Sequence, residues 1–270
     1  MIVGALVVAV LATLALLRAR ETNVRDAAWQ TLATKTPWQA PPFEPSMLEG
    51  LPEAAQRYFA ATIRPGTALL PVVQLKLRGD VAGLPGGRRR EMRGYEMLSP
   101  PFGSVLRLYP GRGATGHSGT VIFDGTIRAR FWWFGLVPAG RGEPGPAHMA
   151  TRLLVESLLW SPVALLPGGK AHWREAGNDA ARVSMKIAGE QREAEIGISA
   201  DGRLQAIRTV SPAGEAQVTA TPSDYRKFDG YFLPARVVFD YHVPQGAPGF
   251  LEARVERVRF IGPWAGSRRS

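Results

Sequence analysis

The chain has 270 residues, 45% of them apolar, enough to bury one large core or two small ones and too many for a chain that stays disordered. Thirty glycines and 22 prolines against 9% aromatic residues exclude a simple helical bundle and point to many short strands. The absence of cysteine rules out disulfides, thiolate metal sites and a lipid-modified N-terminal cysteine, while the net charge of +10 suits an anionic partner, either nucleic acid or lipid headgroups.

The first element is Met1 to Leu17, MIVGALVVAVLATLALL, an unbroken apolar run near the lower limit of roughly 17 to 25 residues needed to span a bilayer. It carries no basic residues ahead of the run and no small-x-small site after it, so it reads as a retained single-pass anchor in the cell (inner) membrane rather than a cleaved signal. Arg18, Arg20 and Arg25 follow it and by the charge rule place the body in the cytoplasm. Weak helical patterning from Glu21 to Lys35 and the prolines at 37, 41, 42 and 45 then predict a juxtamembrane helix and an extended stalk over 18–50.

A helix opens at Leu51-Pro52-Glu53 and stops at Pro65-Gly66. Beyond it the apolar period becomes two: Val73, Leu75 and Leu77, then Val183, Met185 and Ile187, Ala194, Ile196 and Ile198, and Tyr231 through Val243. Asp201-Gly202 predicts a hairpin, and the slip from Leu251, Ala253 and Val255 to Val258 and Phe260 predicts a bulge near Glu256-Arg257. Gly145-Pro146 starts a helix through Met149, Leu153, Leu158 and Trp160 that ends at Ser161-Pro162. The fold expected is mainly β with a few helices, a curved antiparallel sheet or half-open barrel with helices on its concave side. The domain is expected over 51–262, ahead of a disordered tail at 263–270.

No stretch carries a convincing catalytic, cofactor or metal signature. Gly111 to Gly116 matches G-x-G-x-x-G, but strand residues Thr120 to Phe123 follow where that motif needs a helix. Gly116-His117-Ser118-Gly119-Thr120 resembles a nucleophile elbow without its second glycine in place, so a serine hydrolase using Ser118 with Asp124 and a histidine is the weakest reading. His117, His148, His172 and His242 are scattered without metal-ligand spacing. Arg152 and Glu156, at i and i+4, read first as an exposed ion pair and second as a carboxylate near a lipid cavity. Phe131-Trp132-Trp133-Phe134 is either a doubly buried strand or a pocket or membrane contact. Arg88-Arg89-Arg90 reads as a solvated hairpin end, and no nucleic-acid module accompanies the charge, so anionic headgroups are the better partner.

Three stretches, LPEAAQRYFAATIRPG at 51–66, ESLLWSPVALLPG at 156–168 and DYRKFDGYFLPARVVFDY at 224–241, resemble an uncharacterised bacterial family of membrane-anchored proteins. The last also resembles the closing strands of the lipoprotein-carrier half-barrel, the fold of outer-membrane lipoprotein sorting, which implies lipid or acyl-chain handling on the outer face of the membrane. That side conflicts with the charge rule, and both stay open. The resemblance implies a non-catalytic, membrane-anchored binder of a hydrophobic ligand. Its apolar pocket is expected at Trp132, Trp133, Leu158 and Trp160. The alternative is an envelope scaffold with a filled core that docks a protein partner of unknown identity.

Overall fold

The computed structural model describes residues 2–82, 89–111, 116–135, 137–140, 145–210, 217–242 and 249–262. The expected tail at 263–270 and the centre of the glycine-rich motif, 112–115, lie outside the described residues. Among the described residues three α-helices, α1 (Ile2–Ala33), α2 (Glu53–Thr62) and α3 (Pro146–Trp160), accompany one sheet. Its first run of strands is β1 (Val73–Ala82), β2 (Arg90–Ser99), β3 (Gly103–Pro110), β4 (His117–Phe123), β5 (Ile127–Trp133) and β6 (Val137–Gly140). The second run is β7 (Ala171–Gly177), β8 (Ala180–Ile187), β9 (Glu190–Ile198), β10 (Leu204–Val210), β11 (Gln217–Phe228), β12 (Tyr231–His242) and β13 (Gly249–Phe260).

The spatial order is β6-β5-β4-β3-β2-β1-β13-β12-β11-β10-β9-β8-β7, and the neighbouring strands pair antiparallel. Two meanders therefore grow outward from the central β1–β13 pair, and β6 and β7 end up at opposite edges. α3 lies between β6 and β7 in sequence, so it must travel from one edge to the other, across the concave face. The result is a half-open barrel with helices in its mouth.

Local chemistry fixes the register. β1 and β13 slip between Lys76↔Arg257 and Leu77↔Val255, leaving Glu256 as the extra residue, which is the bulge that the change of apolar phase predicts. The β11–β12 hairpin turns at Asp229-Gly230, both at positive φ (46° and 91°), the pairing that a tight primed turn requires. A side chain at 230 is doubly barred, because its Cβ would fall 2.4 Å from Thr67 Oγ1.

Alternation along each strand sorts residues between two faces. On the concave face Leu75, Leu77, Leu98, Leu106, Val121, Phe123, Phe131, Ile196, Leu233 and Val237 join α2 and α3 in one continuous core. Met149, Leu153, Leu154, Leu158 and Leu159 of α3 are all buried there, each stabilising the fold by about 1.5–3 kcal/mol over an exposed position. On the convex face a smaller cluster, Val72, Met97, Val105 and Ile122, receives Leu32 of α1.

α1 is a single helix, about 48 Å long at 1.5 Å per residue. Its N-terminal half is exposed and apolar, and it is the one helix among the described residues long and apolar enough to cross a membrane. The juxtamembrane helix expected from Glu21 to Lys35 is present as the continuation of α1 to Ala33, while the proline-rich segment after it packs down and does not stand free as a stalk. Residues from Arg18 onward pack on the sheet, and Phe43 and Leu48 of the proline-rich segment are buried in the main core. A backbone bridge from Pro42 to Ala68 and the bond from Phe43 N–H to the Thr67 carbonyl (2.8 Å) fasten that segment down.

Candidate functional site

α3 is the element whose surroundings differ most from expectation. From His148 to Trp160 every residue is buried, so Arg152 and Glu156 are not the exposed ion pair that their spacing first suggests. The helix lies inside a curved sheet, which leaves it no solvent face. Arg152 is 2% exposed and donates from Nε to Glu156 Oε1 (2.7 Å) and from Nη2 to Glu96 Oε1 on β2 (2.8 Å). His148, one turn before Arg152, lies with its ring centroid 5.6 Å from that of Tyr241 on β12.

The electrostatics follow from burial. Two carboxylates and one guanidinium would carry a net negative charge in an apolar slab, and desolvation is the largest influence on both acids. It raises Glu156 and pushes Glu96 up to about 8, against the opposing pull of Arg152. Arg152 is driven further above its usual range by Glu156 and Glu96, which overcome its own desolvation. Burial, then Arg152, holds His148 down to about 4, so its imidazole is neutral.

The cluster is also incompletely paired. Glu96 Oε2, Glu156 Oε2, Arg152 Nη1 and both ring nitrogens of His148 are buried without a hydrogen-bond partner among the described residues. Each such atom costs roughly 1–3 kcal/mol, and five in one place make this cluster the candidate site. Elsewhere α3 is well pinned: Tyr58 Oη of α2 donates to the Leu158 carbonyl (2.6 Å), Trp160 Nε1 to the Pro234 carbonyl of β12 (3.1 Å) and Ser161 Oγ to the Pro71 carbonyl (2.5 Å).

The four residues expected to line one apolar pocket are not brought together. Leu158 and Trp160 sit in the concave core on α3. Trp132 faces the other way, because alternation on β5 turns Phe131 inward and Trp132 toward α1, where its Nε1 donates to Glu21 Oε2 (2.5 Å) and Arg18 lies 5.0 Å over its ring. Trp133 is 42% exposed and Phe134 66%, at the β5–β6 turn. The aromatic run thus divides between two buried faces and a surface rim. Patterning did not separate these because all four residues are aromatic and only the register assigns a face.

Ser118 and Asp124 of the hydrolase reading are not brought together either. Ser118 is buried on the convex side opposite Trp132, Asp124 lies just past the far end of β4 and pairs with Arg128, and His148 is on the concave side. Gly119 is required by packing, since a Cβ there would fall 2.3 Å from the Phe131 ring. Arg89, just before β2, pairs with Asp80 of β1, while Arg88 lies outside the described residues. Among the described residues no group of three His, Asp or Glu is placed to hold a metal ion. The residues missed by pattern are Glu96 and His148. The available signal was α3 itself, apolar on all sides apart from a few polar residues, which is the mark of a buried helix whose polar residues need partners.

Fold and site together define a half-open antiparallel barrel with an internal helix bearing a buried ionic cluster. The chain belongs to the Family of unknown function DUF6544, whose model matches residues 41–253. The three stretches that carried the family resemblance meet in space, since Tyr58, Leu158, Trp160 and Pro234 share the bonds given above. No curated protein matches the chain. Among solved structures, it is similar to a LolA superfamily protein from Nitrosomonas europaea (11% identity, 83% of this chain and 96% of that one, TM-score 0.40). A putative outer membrane lipoprotein-sorting protein domain from Vibrio parahaemolyticus (14%, 79% and 94%, 0.38) and a DUF1329 family protein from Desulfovibrio piger (10%, 77% and 90%, 0.34) are also similar.

Proposed function

We propose that this protein is a single-pass membrane protein whose half-barrel binds an amphiphile, an acyl chain or lipid, without covalent chemistry. The observation that carries this reading is the group of five unpaired buried polar atoms on Glu96, His148, Arg152 and Glu156, set in the middle of an otherwise apolar concave face. An amphiphile fits both parts: its chain would lie between α3 and the sheet, and its polar group would meet Arg152 Nη1 and His148. Retention of the N-terminal segment is supported by the continuity of α1, because cleavage near Leu17 would cut into the helix that carries the Arg18, Glu21, Asp26 and Trp29 contacts to the sheet. Protease accessibility in spheroplasts decides between the periplasmic and cytoplasmic sides.

The test is solvent extraction of the purified full-length protein followed by lipid mass spectrometry, together with titration by a fluorescent fatty acid. Lipid co-purifies, and His148→Phe weakens the fatty acid about tenfold by removing one ligand hydrogen bond. A protein that yields no lipid and leaves the probe unchanged sinks the reading. A second reading, an envelope scaffold, rests on the extent to which Leu158, Trp160 and their neighbours already fill the concave space. Crosslinking in membranes would then give one dominant protein adduct in place of lipid.

A further inference from the structure

The convex face carries a second site that the ligand reading does not use. A cleft of about 510 Å³ opens between residues 17–25 of α1 and residues 120–130 of β4 and β5, within the roughly 300–1,000 Å³ typical of small-molecule sites. Its lining includes Arg18, Arg20, Arg25, Arg128 and Arg130, with Glu21 as the sole acid among those lining residues.

The local carboxylates are already committed. Glu21 takes Arg130 (2.6 Å) and the Trp132 indole, Asp26 is shared between Arg25 (3.0 Å) and Arg107 (2.9 Å), and Asp124 holds Arg128. Six guanidiniums therefore face three carboxylates. Arg18, which lines the cleft, is held below the usual arginine range, first by burial and then by the repulsion of Arg25, so an anion added there would relieve it. Arg20 is exposed on the α1 side, and Arg128 is half exposed on the β5 side.

Position selects the kind of anion. The cleft begins at Leu17, the last residue of the apolar run, so with α1 in a bilayer it sits at the depth of the headgroups. β5 runs against the direction of α1, toward its apolar half: Arg130 meets Glu21, Trp132 meets Glu21 and Arg18, and the next residues, Trp133 and Phe134, are the exposed aromatics of the β5–β6 turn. Aromatic residues beside arginines at the end of a spanning helix suit the interface between lipid and water.

We infer that this cleft binds the phosphate-bearing headgroup of an anionic phospholipid whose chains lie along the Met1–Leu17 helix. The inference rests on the anchor reading above and is independent of what the concave face holds. The experiment is native mass spectrometry of the full-length protein released from neutral detergent, with short-chain phosphatidylglycerol or phosphatidylcholine added at equal concentration. Phosphatidylglycerol is retained and phosphatidylcholine is not. The double variant Arg20→Gln with Arg128→Gln weakens retention about twenty-fivefold, from about a factor of five per arginine near an anionic surface. Arg174→Gln with Arg226→Gln, two exposed arginines on β7 and β11, removes the same charge and leaves retention unchanged.

Equal retention of the two lipids, or equal loss in the two double variants, overturns the site. Inorganic phosphate that displaces phosphatidylglycerol at equal concentration overturns the lipid as its source. The same spectra report the mass of the chain. A mass lacking the N-terminal segment refutes the anchor reading, whereas a full-length chain without lipid preference refutes the headgroup site alone.

Discussion

The two faces of the sheet solve the same problem, seating a helix, by opposite means. On the concave face α3 is buried on every side, and its charged residues can be tolerated only by pairing with one another and with Glu96. On the convex face α1 lies across β2, β3 and β4 with a small apolar contact around Leu32. Beside it, Tyr95, Arg107, Thr120 and Arg130 stand opposite one another in register, and two of them reach α1, Arg107 to Asp26 and Trp29 and Arg130 to Glu21. Those pairs are partly in water. The same ion-pair chemistry is therefore decisive for stability inside and weak outside, because desolvation, not attraction, sets the scale.

That contrast can be broken most sharply at Arg152. Arg152→Met leaves two carboxyls buried without their cation and is expected to cost about 3–5 kcal/mol by urea denaturation. Replacing Glu96 and Glu156 with leucine in the same chain recovers most of the loss, and failure to recover it would show that the cluster is not the cause.

The pH dependence comes next. Glu96 has a folded pKa, about 8, above its ordinary value of 4.5, so its contribution is full below about pH 4.5 and is lost as pH rises toward 8. His148 has the opposite sign: its folded pKa of about 4 lies below 6.5, so its contribution is full above 6.5 and is lost as pH falls toward 4. Glu96→Gln should flatten the decline of stability between pH 7 and 8, where His148 no longer titrates, by at most about 1.4 kcal/mol per pH unit. A variant with the same slope as the parent chain places the proton elsewhere.

Smaller effects separate packing from charge. Tyr58→Phe removes the bond that ties α2 to the Leu158 carbonyl and should cost about 1–2 kcal/mol, with a local rise in amide exchange at the end of α3. On the convex side Arg107→Gln removes the Asp26 pair and the cation over Trp29 (4.2 Å) and should cost under about 1 kcal/mol. A larger loss there than at Tyr58 would invert the comparison between the faces.

Much of this protein was legible before any coordinates. The change from a 3.6 to a 2 period located α2, the strands around Val73, Val183 and Ala194 and the long strand β12, Asp201-Gly202 located the β9–β10 hairpin, and a single slip in apolar phase located the Glu256 bulge. These features are local: they depend on side chains two to four residues apart, on turn conformations and on where an apolar run ends. The apolar character of Met1 to Leu17 is local in the same sense. What the tertiary structure decided is everything that needs a face or a distant partner. It turned Phe131 and Trp132 to opposite sides of one strand, docked the expected juxtamembrane helix on the sheet and buried Phe43 and Leu48 where an extended connector was expected, and set Glu96 beside Arg152 across 56 positions of sequence. An i, i+4 pair of opposite charges reads the same on a surface helix and on an enclosed one. Only the path of α3 from one edge of the sheet to the other removes its water, and that path is a property of strand order, which no single segment of the chain contains.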